Sequence, residues 1–202
     1  MIIAITNQKG GSCKSSTALH LGAALLELNP KARLALIDLD YQADLFLFDG
    51  CLGKRAAFEA VPLAALPAMI ERHKAADWVL LDSTKSALAY EVQQMAKVAD
   101  RIIVPTDCEY NSLRGAVNVA DILSESGAAW RVLFNKYNGG SDHRQSVREL
   151  KELFPENLFK TKVPYSRQFG ATVRDKTTAL AALPDSKLAG AYRELAKEVM
   201  KW

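Results

Sequence analysis

Residues 7–16 read NQKGGSCKSS. Two glycines, two lysines and a serine pair so close together can hold a chain of phosphates. Glycine lets backbone N–H groups turn toward an anion, lysine adds a cation, and a serine hydroxyl can reach a metal ion. The segment lies between the apolar run IIAIT and the helix-like TALHLGAALLEL. This is the strand–loop–helix context of a phosphate loop, and a helix N-terminus itself favours negative charge. The usual spelling, G-x-x-x-x-G-K-[ST], wants glycine where this chain has Gln8 and Cys13, while Lys14 and Ser15 keep their places. A tight turn with incidental lysines is the competing reading. The agreement of context, glycines, lysine and serine argues against it.

Carboxylates end two later apolar runs. ALIDLDYQADLF (35–46) sets Asp38 and Asp40 at i, i+2, on one side of an extended chain. DWVLLDST (77–84) ends its apolar run at Asp82. Strand-end carboxylates beside a phosphate loop suit a hydrated divalent cation and the orientation of an attacking water. Solvated loop aspartates are the bland alternative.

The elements that must position these groups show as short apolar runs. IIAI (2–5), RLALI (33–37), WVLL (78–81), RIIV (101–104) and RVLF (131–134) are nearly continuous in apolar residues. That is the pattern of strands covered on both faces. Helices are expected at 15–28, about 86–98, 112–126, 142–154 and 187–201. The alternation implies one α/β domain over 1–202, with a mostly parallel twisted sheet flanked by helices on both faces. The alanine-rich region 50–75 reads as short helices broken at Pro62 and Pro67. Ligands of such sheets gather beyond the carboxyl ends of the strands, and the glycine-rich and acidic motifs all follow strands.

Composition narrows the partners. No apolar run approaches the ~20 residues that span a bilayer. MIIAIT has neither the basic start nor the cleavage site of a signal peptide. Cys13, Cys51 and Cys108 are odd in number and widely spaced, which argues against disulfides or a zinc site and for the cytoplasm. The net charge of +3 is uneven: 131–176 holds 10 basic against 5 acidic residues, while 1–130 holds 12 against 15. Such a segment can meet a polyanion, with a solvated basic face as the alternative.

The loop resembles the deviant Walker A motif of the ParA/MinD family, K-G-G-x-G-K-[ST]-[ST]. Lys9, Gly10, Gly11, Lys14, Ser15 and Ser16 match; Ser12 fills the open position and Cys13 replaces a glycine. Gln8 is no departure from that pattern. The resemblance makes Lys9 the signature lysine, which reaches across a nucleotide-sandwich dimer. Asp38, Asp40 and Gln42 resemble the family's switch I, D-x-D-P-Q, with Tyr41 in place of proline; Asp40 then orients the attacking water. Asp82 resembles the Walker B aspartate that holds Mg²⁺, but Ser83-Thr84-Lys85 follows where the family usually has two prolines. In 99–116, Pro105, Glu109, Tyr110, Leu113 and Gly115 match a structural segment at the dimer face. Asn135 corresponds to an amide that reads the adenine edge, and Pro164 to a residue that packs on the base.

The resemblance runs through nearly the whole chain, up to the closing AGAYRELAKEVMKW. It implies a small ParA-type P-loop ATPase with no DNA-binding segment ahead of the loop. ATP and Mg²⁺ are the expected cofactors. Residues 9–16 with Asn135 and Pro164 would hold the nucleotide, Ser15, Asp40 and Asp82 the metal, and Lys9, Lys14 and Asp40 would carry the chemistry. ATP-dependent homodimerisation would align Arg144, Arg148, Lys160, Lys162, Arg167, Arg174 and Lys176 for non-specific DNA. A ParB-like or cargo adaptor would stimulate hydrolysis, and the protein would sit on the nucleoid. Three alternatives stand beside this. Cys13, Tyr41 and the lost prolines fit a binding module with impaired hydrolysis. The amphipathic tail fits a MinD-like membrane positioner, although core packing explains it more simply. A metabolic P-loop ligase would need an extra domain for its substrate. Cys13 raises its own question: a position needing φ > 0 would be strained by a Cβ, and neighbouring lysines could lower the thiol pKa.

Overall fold

A computed structural model describes residues 1–202. The strands are β1 (Ile2–Ile5), β2 (Leu34–Asp38), β3 (Ala56–Ala60), β4 (Trp78–Asp82), β5 (Arg101–Thr106), β6 (Trp130–Tyr137) and β7 (Leu158–Pro164). They form one sheet in the order β3-β2-β4-β1-β5-β6-β7. Every pairing is parallel. The helices are α1 (Lys14–Leu28), α2 (Leu66–Arg72), α3 (Ala89–Val98), α4 (Tyr110–Ser126), α5 (Ser141–Leu153), α6 (Phe169–Arg174), α7 (Ala179–Ala182) and α8 (Lys187–Lys201).

The five apolar runs are the five inner strands, with ends moved by up to three residues. The strands buried on both faces are the ones that carry continuous Ile, Leu and Val. One apolar cluster joins the sheet to α1, α7 and α8, and a second joins its other face to α3, α4 and α5. Both edge strands escaped the sequence reading for a physical reason. In β3, AAFEA buries only Phe58 fully, so its alanines read as helix. In β7, Phe159 and Val163 are buried while Lys160 points to water, so a half-solvated edge hides its period of two. The expectation of broken short helices over 50–75 is corrected accordingly. Pro67 stands in the first turn of α2, where a missing N–H costs nothing.

The amphipathic last helix is a core element. Leu188, Ala189, Tyr192, Leu195, Ala196 and Val199 are all buried, and α8 packs on α1 and β7. Ser186 caps its start by accepting from the Ala189 N–H at 3.1 Å. At its far end the Arg101 guanidinium donates to the Trp202 carbonyl at 2.8 Å. The apolar face is thus already covered by protein. No helix of the fold is long and apolar enough to cross a membrane.

Parallel register lines up the functional strand ends. Ile5 pairs with Asp82 across β1 and β4, and Asp38 pairs with Asp82 across β2 and β4. The loop after β1 therefore begins level with both carboxylates. Helix α4 presses against that loop at Gly115. A Cβ there would stand 2.4 Å from Asn7 Oδ1 and 3.3 Å from the Lys9 nitrogen. Gly115→Ala should therefore destabilise the fold by roughly 1–3 kcal/mol through overpacking. Urea unfolding measures this; an unchanged midpoint would show that α4 yields without cost.

Candidate functional site

The loop between β1 and α1 is tied down at its entry. Asn7 is fully buried; its amide donates to the carbonyls of Pro105 at 2.8 Å and Ser112 at 3.3 Å, and its Oδ1 accepts from the Lys9 N–H at 2.9 Å. Beyond this, loop carbonyls are held by donors. Lys9 O accepts from Ser12 Oγ at 3.0 Å and from Lys14 Nζ at 3.1 Å, and Gly11 O accepts from Lys136 Nζ at 3.1 Å. In a trans peptide the N–H points opposite its C=O. Each held carbonyl therefore sets the direction of the next residue's N–H, as an anion-binding nest requires.

The chain bends through Gly11 at φ 80° and Cys13 at φ 68°. Position 13 does take the left-handed conformation, where a Cβ costs roughly 1–2 kcal/mol. The thiol moves opposite to the sequence expectation. Burial pushes Cys13 up to about 11, outweighing the lowering by Lys136 and Lys14. The residue is a poor nucleophile at neutral pH.

The carboxylates divide into two that are occupied and one that is not. Asp38 accepts from the N–H groups of Asp40 and Leu45, each at 2.9 Å, and shapes its own turn. Burial is the main cause that raises its pKa. Asp40 accepts from the N–H of Gln42 at 2.9 Å and of Lys85 at 2.6 Å. Asp82 is 1% exposed, and neither of its oxygens has a hydrogen-bond partner. Its burial raises the pKa to about 8; the nearby Ser15 hydroxyl lowers it without completing a hydrogen bond, and Asp38 raises it further. A buried, unpaired carboxylate beside a hydroxyl and a second acid fits a hard divalent cation such as Mg²⁺.

Lys14 is the cation at the centre. It is 6% exposed, and its Nζ donates to Lys9 O and, at 2.9 Å, to Lys85 O. Burial lowers its pKa, while Asp82 and Asp40 act against that. Lys85 thus joins Lys14 and Asp40 through its backbone: its carbonyl holds Lys14 and its N–H holds Asp40. Its side chain adds an exposed ion pair to Asp44 at 3.3 Å.

A cavity of about 600 Å³ opens over the loop. Gly11, Cys13, Lys14, Ser15, Ser16, Asp40, Asn135 and Pro164 all line it. Asn135 is 1% exposed with an unpartnered amide nitrogen. Lys9, Gly10, Ser12 and Asp82 do not line the cavity. Ser12 turns back to Lys9 O, and Asp82 lies below the surface. The basic residues separate into two groups. Arg144, Arg148 and Lys162 share a cleft of about 340 Å³ with Tyr137. Lys160 is exposed on the β7 edge, and Arg167, Arg174 and Lys176 are exposed along 167–176, beside the cavity-lining Ser166, Phe169 and Val173.

Lys136 and His20 were not singled out from sequence, and Lys85 stood out there only as an unexpected cation after Asp82. Lys136 lies beside Asn135, and a cation next to a polar strand end was its only signal. The Lys85 contacts run through backbone and carry no sequence signal at all. His20, 1% exposed on the cavity wall, donates from Nδ1 to Ser16 O at 2.8 Å and stacks on Tyr192. Burial brings its pKa down to about 4, so it is neutral at pH 7.

Asp82 supplies a pH signature. A carboxyl whose folded pKa exceeds its unfolded value favours the fold when protonated, so its cost grows as pH rises from about 4 toward 8. Ligand-free Asp82→Asn should melt higher than the parent by ~2 °C or more at pH 8, with little difference at pH 4. Calorimetry at the two pH values checks this; a gain independent of pH would contradict it.

The family model for the CobQ/CobB/MinD/ParA nucleotide binding domain matches residues 3–179. The chromosome-partitioning ATPase Soj of Thermus thermophilus is 28% identical over 238 aligned positions, covering 98% of this chain and 94% of Soj. The cell division protein MinD of Aquifex aeolicus superposes with a TM-score of 0.83 at 17% identity, over 100% of this chain and 97% of that one. The septum site-determining protein MinD of Pyrococcus horikoshii, complexed with Mg-ADP, gives 0.81 at 20%, over 99% and 96%. With its phosphate loop, its strand-end carboxylates and its all-parallel sheet, the chain belongs to the CobQ/CobB/MinD/ParA nucleotide-binding family.

Proposed function

We propose that this chain is a ParA-type positioning or partition ATPase whose nucleotide state gates binding to non-specific DNA. The observation that carries the reading is the unpaired, buried Asp82 beneath a loop that holds Lys14 and Ser15. A magnesium–ATP complex would supply a hydrolysable phosphoanhydride and the cation that balances these carboxylates. Ser15 and Asp82 would hold the metal, with Asp40 beside them. Backbone N–H groups of residues 9–16 and Lys14 would neutralise the phosphate oxygens. Asp40, held by two backbone N–H groups, keeps lone pairs for orienting a water. Asn135 and Pro164 would hold the base.

Lys9 is half-buried and outside the cavity lining, which suits action on the site of a second subunit. Tyr41 is 88% exposed, Leu88 69% and Tyr110 75%. All three follow carboxyl ends of strands, on the side where the loop opens. Exposed apolar surface at this end of the sheet supports a covered, dimeric state. Two copies of the cleft formed by Arg144, Arg148 and Lys162, with Lys160, Arg167, Arg174 and Lys176 as outlying cations, would combine a weak phosphate-binding face into useful avidity. An adaptor that stimulates hydrolysis completes the cycle. The Lys85 carbonyl, which holds Lys14, would have to release that lysine for it to meet phosphate, which would keep unassisted turnover slow. The membrane reading loses its support, because the apolar face of α8 is buried.

Binding to random-sequence DNA should require ATP and Mg²⁺. It should weaken by about 10-fold or more between 50 and 200 mM salt. Arg144→Ala with Arg148→Ala should reduce DNA binding while sparing nucleotide affinity. Lys9→Ala should lose ATP-dependent dimerisation and phosphate release. DNA binding indifferent to nucleotide would sink the gating, and an undiminished Lys9→Ala variant would remove that lysine's role across the dimer.

A further inference from the structure

We infer that Lys136 is a positioning residue of the phosphate loop, holding the Gly11 carbonyl so that the strained turn at Cys13 stays shaped for phosphate. The inference rests on the nucleotide reading above and adds a residue to it.

Three observations converge. The first is the contact itself. Lys136 comes from the far end of β6, yet its Nζ reaches Gly11 O at 3.1 Å, two residues before Cys13. Fixing that carbonyl orients the Gly11–Ser12 peptide and directs the Ser12 N–H the other way. The second is how the lysine is held. Its Nζ also donates to Asp107 Oδ2 at 2.6 Å, and Asp107 is only 3% exposed. The other Asp107 oxygen accepts from the Glu109 N–H at 3.0 Å. An exposed ion pair would carry little weight, but here one partner is buried and its geometry is set. The Asp107 N–H donates to Ser112 Oγ, and the Ser112 carbonyl accepts from Asn7. The loop is therefore held at its entry through Asn7 and near its crest through Lys136, and both are anchored on one knot of residues at and after the end of β5, Pro105, Asp107 and Ser112.

The third observation is strain. Lys136 is itself left-handed, at φ 54°, as is Cys13 at φ 68°. Neither is glycine, so each needs surrounding structure to hold it. At position 13 a glycine would adopt this shape unaided. With a cysteine there, the backbone tends to relax toward negative φ, and relaxation would swing the Gly11–Ser12 peptide out of place. The brace from Lys136 opposes that movement. A plain surface role for Lys136 accounts for the Asp107 pair but not for the bond to Gly11 or for the left-handed backbone that delivers it.

The test is an equilibrium titration with a fluorescent ATP analogue and Mg²⁺. Lys136→Met keeps the aliphatic stem and removes the donor, and should weaken binding by about tenfold. Lys136→Arg, which can still donate to both oxygens, should stay within about threefold of the parent. Asp107→Asn should move in the same direction as Lys136→Met. The decisive readout is the coupling: in a Cys13→Gly background, Lys136→Met should cost less than about threefold, because glycine needs no brace. Ligand-free melting curves identify any variant that fails to fold, and the Arg and Asn variants then carry the comparison. Equal losses in the parent and Cys13→Gly backgrounds, or no loss in Lys136→Met, would overturn the inference while leaving the nucleotide reading intact. A parent chain that bound no nucleotide would overturn both.

Discussion

Parallel pairing of β2, β4 and β1 places Asp38, Asp82 and Ile5 at one level. This register is the constraint on which the site depends. A slip by one residue would turn Asp82 to the opposite face of the sheet, and the carboxylate would no longer lie under the loop. The register is in turn held by apolar side chains on both faces, since Leu34, Leu36 and Leu80 pack beneath α1 while Ala35, Ile37 and Leu81 pack on the other side. The placement of these carboxylates and hydrophobic burial are thus one problem with one solution.

That solution concentrates charge out of water. Lys14, Asp38, Asp40 and Asp82 are all buried. Asp38 and Asp40 are compensated by backbone N–H groups, and Lys14 by carbonyls. Asp82 has no such compensation. Desolvation without a partner is costly, so the fold carries a local penalty that a divalent cation would relieve. The ligand-free protein is accordingly expected to be least stable where its proposed ligand would bind. Cys13, whose left-handed backbone adds strain to the same loop, is a second local cost.

The segment after Asp82 shows how an altered sequence can keep order through its backbone. Ser83-Thr84-Lys85 lacks the stiffening prolines of the family pattern. Lys85 instead ties into both Lys14 and Asp40 through main-chain groups. Glu91 adds order at the start of α3, accepting from Thr84 Oγ1 at 3.0 Å and from the Leu88 N–H at 2.7 Å. Hydrogen bonds supply here the rigidity that ring closure supplies elsewhere.

Much of this was legible in the chain itself. Five inner strands, the major helices and the loop between β1 and α1 followed from apolar runs and glycine placement, because fully buried strands and amphipathic helices leave strong local patterns. Asp38, Asp40 and Asp82 could be picked out because each ends or follows an apolar run. The edge strands β3 and β7 could not, since half their surface faces water and their patterns are diluted. Tertiary structure alone decided which carboxylate is left unpaired, that burial outweighs neighbouring lysines at Cys13, and that Lys136 reaches Gly11 from 125 residues away. Local patterns record which face of an element is buried. Desolvation and long-range hydrogen bonds depend on what the remaining elements bring to that face, and only the folded chain determines that.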